Sequence, residues 1–301
     1  MARRSTPDLG GSFALGSRRV HRVGYGAMQL AGDGFSGPPR DRDEAVRVLR
    51  AAVGGGVDHI DTAQFYGSGA VNAVIRAALH PYPQDLAIVS KVAVGHHTRA
   101  EEIDRAVEAN LRALDVGGVA AVNLRMPDPS APPDRGFDAQ LASLGKARDQ
   151  GLIGGVGLSN VSRQHLVRAL EQTEIVCVQN LFNLADQRSL DVLEECAKRD
   201  IAFVPYCPLG WPLATRQRIL ESPVLAELGT RLAATPTQVA LAWLLDLAPN
   251  VLLIPGTRTR EHLTENLRAG DVVLDDAARV ELRRCFPTGR PARPAGITGI
   301  R

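Results

Sequence analysis

Metal-ligand and redox spacings are missing from this chain. Its four cysteines, Cys177, Cys196, Cys207 and Cys285, stand far apart, with no C-x-x-C pair among them. A reduced, intracellular protein is expected. No apolar run approaches the roughly 18 residues of a membrane span, and no stretch of signal-peptide character follows Arg3 and Arg4. A cytoplasmic location without a membrane partner is the corresponding expectation. Charge of one sign is also scarce, because the net charge of +2 comes with arginines that are scattered rather than gathered. That argues against a nucleic-acid partner. Finally, Gly24-x-Gly26 lacks the third glycine of G-x-G-x-x-G, and Asp61 is not spaced as its ribose-binding acid. An open doubly wound sheet is therefore the second choice of fold.

What the chain does have is 45% hydrophobic and 23% charged residues over 301 positions, enough apolar material for one large core. Ser12 to Leu15 and Val20 to Val23 read as a small hairpin. A helix follows over Arg42 to Val53, where Ala45, Val46, Leu49 and Val53 share a face. From there, short continuous apolar runs alternate with helical periods. The strands are Val57 to Asp61, Leu86 to Lys91, Ala120 to Leu124, Ile153 to Leu158, Ile175 to Val178, Ala202 to Tyr206 and Val251 to Ile254. The helices between and after them span Val71 to Leu79, Ala100 to Leu114, Phe137 to Asp149, Ser162 to Gln172, Ser189 to Arg199, Val224 to Leu232, Pro236 to Leu247 and Arg260 to Ala269. Strands buried on both faces look like this, and repeated strand-helix order implies a parallel sheet. The expected fold is α/β, a (β/α)8 TIM barrel in one domain spanning residues 1–301, with an N-terminal β-hairpin and an added helix, Asp276 to Arg284. Residues 1–10 and 287–301 are expected to be mobile.

The stretch His59-Ile60-Asp61-Thr62-Ala63-Gln64-Phe65-Tyr66-Gly67 is an apolar strand running into an acid, then a turn that carries a tyrosine. Lys91 closes the next apolar run. In a barrel the C-terminal strand ends share one rim, where active sites sit, so Asp61, Tyr66 and Lys91 converge there. An ammonium beside a phenol lowers its pKa by about 2 to 3 if ~4 kcal/mol acts at close range, bringing a tyrosine from about 10 toward neutrality. Such a phenol can give or take a proton. The plainer alternative is a structural Asp61–Lys91 ion pair with Tyr66 as a rim tyrosine. Another is a Schiff base on Lys91, which a nearby acid disfavours by holding the amine as an ammonium.

Several further motifs accompany these residues. They are Gly24-Tyr25-Gly26-Ala27-Met28, Gly157-Leu158-Ser159-Asn160, Val178-Gln179-Asn180, Tyr206 with Pro208-Leu209-Gly210, and Ile254-Pro255-Gly256 with Glu265-Asn266. Together, over roughly residues 18 to 270, they resemble the aldo-keto reductase family. Gly26-Ala27-Met28-Gln29-Leu30 and Pro38-Pro39-Arg40-Asp41-Arg42 resemble its bacterial pyridoxal-reductase-like group. The resemblance implies a barrel that binds NADPH without a Rossmann fold and reduces aldehydes or ketones. It makes Tyr66 the general acid, tuned by Lys91 and Asp61. Gly26, Ala27, Met28 and Asp61 would border the cofactor, and Ser159, Asn160 and Gln179 would hold the nicotinamide carboxamide. Tyr206 would stack on the ring, with Pro208, Leu209 and Gly210 near the pyrophosphate. Ile254 would border the cofactor, Gly256, Thr257, Arg258 and Arg260 would meet the 2′-phosphate, and Glu265 and Asn266 the adenine.

Taken singly, each of these residues has a structural alternative. Asn160 could cap the helix that begins at Ser162, Gln179 could satisfy buried backbone, and Asn266 could end a helix. Tyr206 could be core, and Arg258 and Arg260 a solvated face.

The fourth catalytic place of the family, a histidine near the end of strand four, is Arg125 here. A guanidinium cannot cycle a proton, but it can polarise a carbonyl or bind an anionic substituent. It could also turn away toward Asp128. His96 and His97 follow strand three and are read as solvent-facing. Met28, Phe35 and Trp211, on loops of the same rim, are candidate walls of a substrate pocket that also contains Tyr66 and Arg125. A small-molecule carbonyl compound is the expected partner, with pyridoxal-like aromatic aldehydes first because Arg125 could meet their phenolate oxygen. A nicotinamide-binding regulatory subunit and a Schiff-base lyase are the rival functions.

Overall fold

The computed structural model describes residues 8–95 and 98–288. His96, His97 and most of the two expected mobile ends lie outside them. Residues 8–10 are described, and they are held in place: Leu9 is buried and its carbonyl accepts from Val23 N at 3.0 Å.

The chain opens with an antiparallel hairpin, β1 (Ser12–Leu15) and β2 (Arg18–His21). Seven parallel strands follow in sequence order. These are β3 (Tyr25–Gly26), β4 (His59–Asp61), β5 (Ala87–Ala93), β6 (Ala121–Arg125), β7 (Val156–Ser159), β8 (Ile175–Leu181) and β9 (Ala202–Tyr206). The eighth position is occupied by residues 251–253, which form isolated parallel bridges rather than a continuous strand. Leu252 N donates to Phe203 O at 2.9 Å on one side, and Leu253 N donates to Arg22 O at 2.7 Å on the other. These bonds close the barrel. The run read as Val20 to Val23 thus divides, its first part pairing in the hairpin and Val23 joining the barrel wall.

Side-chain alternation along the strands builds two apolar layers. On β5, Ile88 and Val92 join the large cluster between sheet and helices, whereas Ala87 and Val89 belong to a smaller one with Ala121, Cys177, Ala202, Leu252 and Ile254. Strand register makes the smaller cluster the barrel axis, since Val89 pairs with Ala121 and Cys177 with Ala202. Leu15 and Val20 of the hairpin complete it from below. On the outside, helix Arg42–Gly54 starts where the Asp41 carboxylate accepts from Glu44 N at 2.8 Å. Helix Leu213–Leu220, not foreseen from the sequence, precedes Pro223–Arg231, and Asp276–Cys285 is the added terminal helix. Among the described residues, no helix is long and apolar enough to cross a membrane.

Parallel strands bring all their C-terminal ends to the same side of the barrel. Asp61, Arg125, Ser159 and Tyr206 are each the last residue of their strand. In register, Arg125 pairs with Ser159, and Ser159 with Gln179. The polar residues at this level therefore form a ring.

Candidate active site

Lys91 and Asp61 are almost completely buried, at 2% and 4% exposure. Lys91 Nζ donates to Asp61 Oδ1 at 2.6 Å and to the Thr62 carbonyl at 3.0 Å. The other Asp61 oxygen accepts from Gln179 Nε2 at 2.8 Å. Burial works against the ammonium, but Asp61 and then Tyr66 outweigh it, so the Lys91 pKa lies above that of an ordinary lysine. The half-buried Tyr66 stands on the short turn after β4, with Lys91 Nζ 4.8 Å from the centre of its ring.

One electrostatic expectation is corrected by this geometry. The Tyr66 phenol is shifted up from its ordinary value, not down toward neutrality. Loss of hydration at the hydroxyl outweighs the attraction of Lys91, and Asp61 adds to the upward push. An ammonium already paired with a carboxylate has less charge effect to exert on a third group.

Around the ring, the Arg125 guanidinium donates to Ser159 Oγ at 3.2 Å and lies over the Tyr206 ring, 5.2 Å from its centre. Both contacts are with neutral groups. Tyr206 in turn donates from its hydroxyl to Asn160 Oδ1 at 3.2 Å. Asn160 Nδ2 is held by the Met126 carbonyl at 2.8 Å, and its backbone adopts the left-handed conformation (φ 55°) that Asn tolerates. Arg125, Ser159, Asn160 and Tyr206 are thus one connected group, and Gln179, paired in register with Ser159 and donating to Asp61, links it to Asp61 and Lys91.

The outer parts of the expected site fall on the same end of the barrel. Phe35 and Trp211 meet edge to face, with ring centres 5.4 Å apart. The backbone of residues 255–257 closes directly on β3: a Cβ on Gly26 would come within 2.4 Å of the Ile254 carbonyl, and one on Gly256 within 2.6 Å of the Gly26 carbonyl. Just beyond, Tyr25 Oη donates to the Thr257 carbonyl at 2.6 Å, and Arg258 Nε to the Gln29 carbonyl at 2.6 Å. Arg260 begins helix Arg260–Leu267, which Thr259 caps. On that helix, Glu265 accepts from Thr235 Oγ1 at 2.5 Å, and Asn266 is buried. Met28 is half-buried on the turn after β3, and Pro208, Leu209 and Gly210 follow Tyr206. Among the described residues, no group of three or more His, Cys, Asp or Glu could hold a metal ion.

A barrel of this topology, with an acid and a lysine buried on adjacent strand ends beside a tyrosine, can be compared with known proteins. The Aldo/keto reductase family profile matches residues 22–285. The chain belongs to this family. As a family member it is an oxidoreductase of the carbonyl–alcohol pair. Pyridoxine 4-dehydrogenase of Escherichia coli (strain K12) is 44% identical to it over 275 residues, 88% of this chain and 94% of the relative. A thermostable aldo-keto reductase solved with the inhibitor epalrestat is 32% identical, with a TM-score of 0.78, over 91% of this chain and 98% of that one. An aldo/keto reductase from Klebsiella pneumoniae, solved with NADP and acetate, gives a TM-score of 0.80 at 25% identity over 94% and 97% of the two chains.

In this aldo/keto reductase a buried polar network behind Lys91 went unforeseen. Thr62 Oγ1 donates to Asn72 Oδ1 at 2.7 Å, and Asn72 Nδ2 to Gln64 Oε1 at 2.8 Å. Ser90 Oγ donates to Asn110 Oδ1 at 2.5 Å, and Asn110 Nδ2 reaches the Lys91 carbonyl at 3.4 Å. The network ties the backbone around Asp61 and Lys91 to two outer helices. A signal was available, since Asn72 and Asn110 sit at core-facing positions of otherwise apolar helix faces, where an amide needs a partner.

Proposed function

We propose that the protein reduces an aldehyde or ketone to an alcohol with NADPH, and that Tyr66 is the general acid. The observation that carries this reading is the buried Lys91, 2.6 Å from Asp61 and 4.8 Å from the Tyr66 ring centre, at the rim of a family barrel. The NADP bound by the Klebsiella pneumoniae relative supports the cofactor. The donor set suits it. A carboxamide needs donors and acceptors in one plane, and Ser159, Asn160 and Gln179 provide both. Gln179 spends Nε2 on Asp61, so its carbonyl oxygen is the end that would accept from the carboxamide. Tyr206 would offer its ring face, and Arg258 and Arg260 suit a 2′-phosphate better than a free ribose hydroxyl. Gly26, Ala27 and Met28 would border the cofactor, with residues 208–210 along the pyrophosphate and Glu265 and Asn266 at the adenine.

When bound, the cofactor supplies the hydride. Tyr66 Oη supplies the proton to the carbonyl oxygen as charge develops there. Lys91 remains an ammonium, stabilises the phenolate left behind and is kept in position by Asp61 and the Thr62 carbonyl. The same pairing counts against a Schiff base on Lys91, because an ammonium held at 2.6 Å by a carboxylate is not a nucleophile. Arg125 draws electron density from the carbonyl without giving up a proton, as its guanidinium stays charged.

Reduction needs the phenol protonated, so the rate falls as pH rises through the Tyr66 pKa, which lies above the ordinary 10.0. The pH profile of kcat/KM for reduction should accordingly stay flat on its alkaline side up to about pH 10. A descending limb centred near neutrality would contradict the assignment.

The substrate class proposed first is an aromatic aldehyde with an ionised oxygen close to the carbonyl, as in pyridoxal. The name of the Escherichia coli relative, pyridoxine 4-dehydrogenase, points to the same aldehyde–alcohol pair. Met28, Phe35 and Trp211 would wall the ring. Arg125→Ala should lower kcat/KM for pyridoxal roughly tenfold to a hundredfold, the worth of one hydrogen bond to a charged group, and should affect an uncharged aldehyde less. Full activity of Arg125→Ala toward pyridoxal would remove Arg125 from the site.

A further inference from the structure

Arg260 is held by a carboxylate from a neighbouring helix. Its Nε donates to Glu44 Oε1 at 3.2 Å, while Glu44 Oε2 accepts from Arg47 Nε at 2.7 Å. One side chain on helix Arg42–Gly54 therefore bridges two guanidiniums, and it is only a quarter exposed. In the adjoining loop Asp33 is paired to Arg40 at 2.6 Å, while Arg258 Nε is taken by the Gln29 carbonyl. Of the two arginines assigned above to the 2′-phosphate, Arg260 is thus the one with a carboxylate of the protein on its guanidinium.

A phosphate monoester carries between one and a half and two negative charges near neutral pH and bonds a guanidinium more strongly than one carboxylate oxygen does. It can take Arg260 from Glu44. Arg47 would keep the released carboxylate paired, so the exchange strands no charge. A carboxylate at this distance nevertheless opposes the incoming phosphate, both by occupying Arg260 and by like-charge repulsion. A cofactor without the 2′-phosphate has no reason to displace it.

We propose that Glu44 is a specificity-determining residue for the cofactor: its carboxylate competes with the 2′-phosphate for Arg260 and so restrains the preference for NADPH over NADH. The proposal rests on the assignment of Arg260 to the phosphate. Glu44→Gln keeps the shape and removes the charge. It should tighten NADPH binding by about three- to tenfold and tighten adenosine 2′-monophosphate in parallel, with NADH unchanged.

Equilibrium titration by protein fluorescence, with no turnover involved, measures all three ligands on the wild type, Glu44→Gln, Asp43→Asn and Arg260→Ala. Asp43 is an exposed acid on the same first turn, and Asp43→Asn serves as the control for general surface charge. Selective tightening in Glu44→Gln alone supports the proposal. Unchanged or weaker NADPH binding in Glu44→Gln, an equal gain for NADH, or an equal gain in Asp43→Asn would overturn it while leaving the Arg260 assignment intact. Wild-type NADPH affinity in Arg260→Ala would overturn the phosphate assignment and the proposal together.

Discussion

Replacing Tyr66 with phenylalanine should lower kcat for aldehyde reduction by roughly 10²- to 10⁴-fold, the usual worth of a positioned general acid. The substitution removes one oxygen and leaves the ring, which packs edge to face against Phe65 with centres 5.1 Å apart. NADPH affinity should therefore stay within about twofold of the wild type, the loss falling on the proton-transfer step alone. Steady-state rates with pyridoxal and simpler aldehydes, read beside a binding titration, test both parts. Turnover preserved in Tyr66→Phe would mean that the proton comes from elsewhere. A parallel collapse of cofactor binding would mean that the tyrosine shapes the pocket rather than the chemistry.

The second large effect is expected on stability. Asp61→Asn leaves the Lys91 ammonium buried without its counter-charge, a change that costs about 3 to 5 kcal/mol when one partner of a buried pair is removed. Hydrogen bonding aggravates the loss. Lys91 Nζ and Gln179 Nε2 both donate to Asp61, and an asparagine can offer its carbonyl to only one of them while turning an N–H₂ on the other. Urea unfolding should show the loss as a lower midpoint with an unchanged slope. Combining Asp61→Asn with Lys91→Met should recover much of it, since neither charge then remains. The folded-state pKa of Lys91 is raised, so its contribution is complete below its unfolded value of 10.5 and is lost only as pH climbs through the folded one. In the variant burial pushes the unpaired Lys91 below its ordinary value, so the penalty of Asp61→Asn should be complete at about pH 6 and smaller at about pH 9, where the amine can shed its proton. A variant within about 1 kcal/mol of the wild type would show that the pair is solvated or neutral.

Much of this arrangement could be read from the chain. Ala202 to Tyr206 is an unbroken apolar run and forms a strand with those same limits. Asp61 and Lys91 were visible because each interrupts such a run. Elements whose polarity serves the site were harder to delimit. Strand β8 was expected to stop at Val178, yet Gln179 and Asn180 continue it to Leu181 as buried residues. Polarity at a strand end looks like a turn until the ring of partners around it is known. Val251 to Ile254 reads as a full strand but contributes only single bridges to its two neighbours. Its apolar character reflects burial on the closing seam and says nothing of ladder length. The direction of the Tyr66 shift was illegible for another reason: it depends on how far folding strips water from the hydroxyl, which no spacing of residues reveals. Glu44 and Arg260 lie 216 positions apart, and nothing local links them.

The hairpin under the barrel governs traffic. Leu15 and Val20 press on an axis already filled by Ala87, Val89, Ala121 and Leu252, so nothing the size of a substrate passes through the floor. The polar ring lies at the opposite end, at the C-terminal ends of the strands. If cofactor and carbonyl compound both enter from that end, whatever lies deepest has to arrive first and leave last. If the nicotinamide reaches Gln179 and Tyr206 on the inner ring while the substrate rests between Tyr66 and Trp211, queueing alone imposes an order of binding, with no conformational signal between the two.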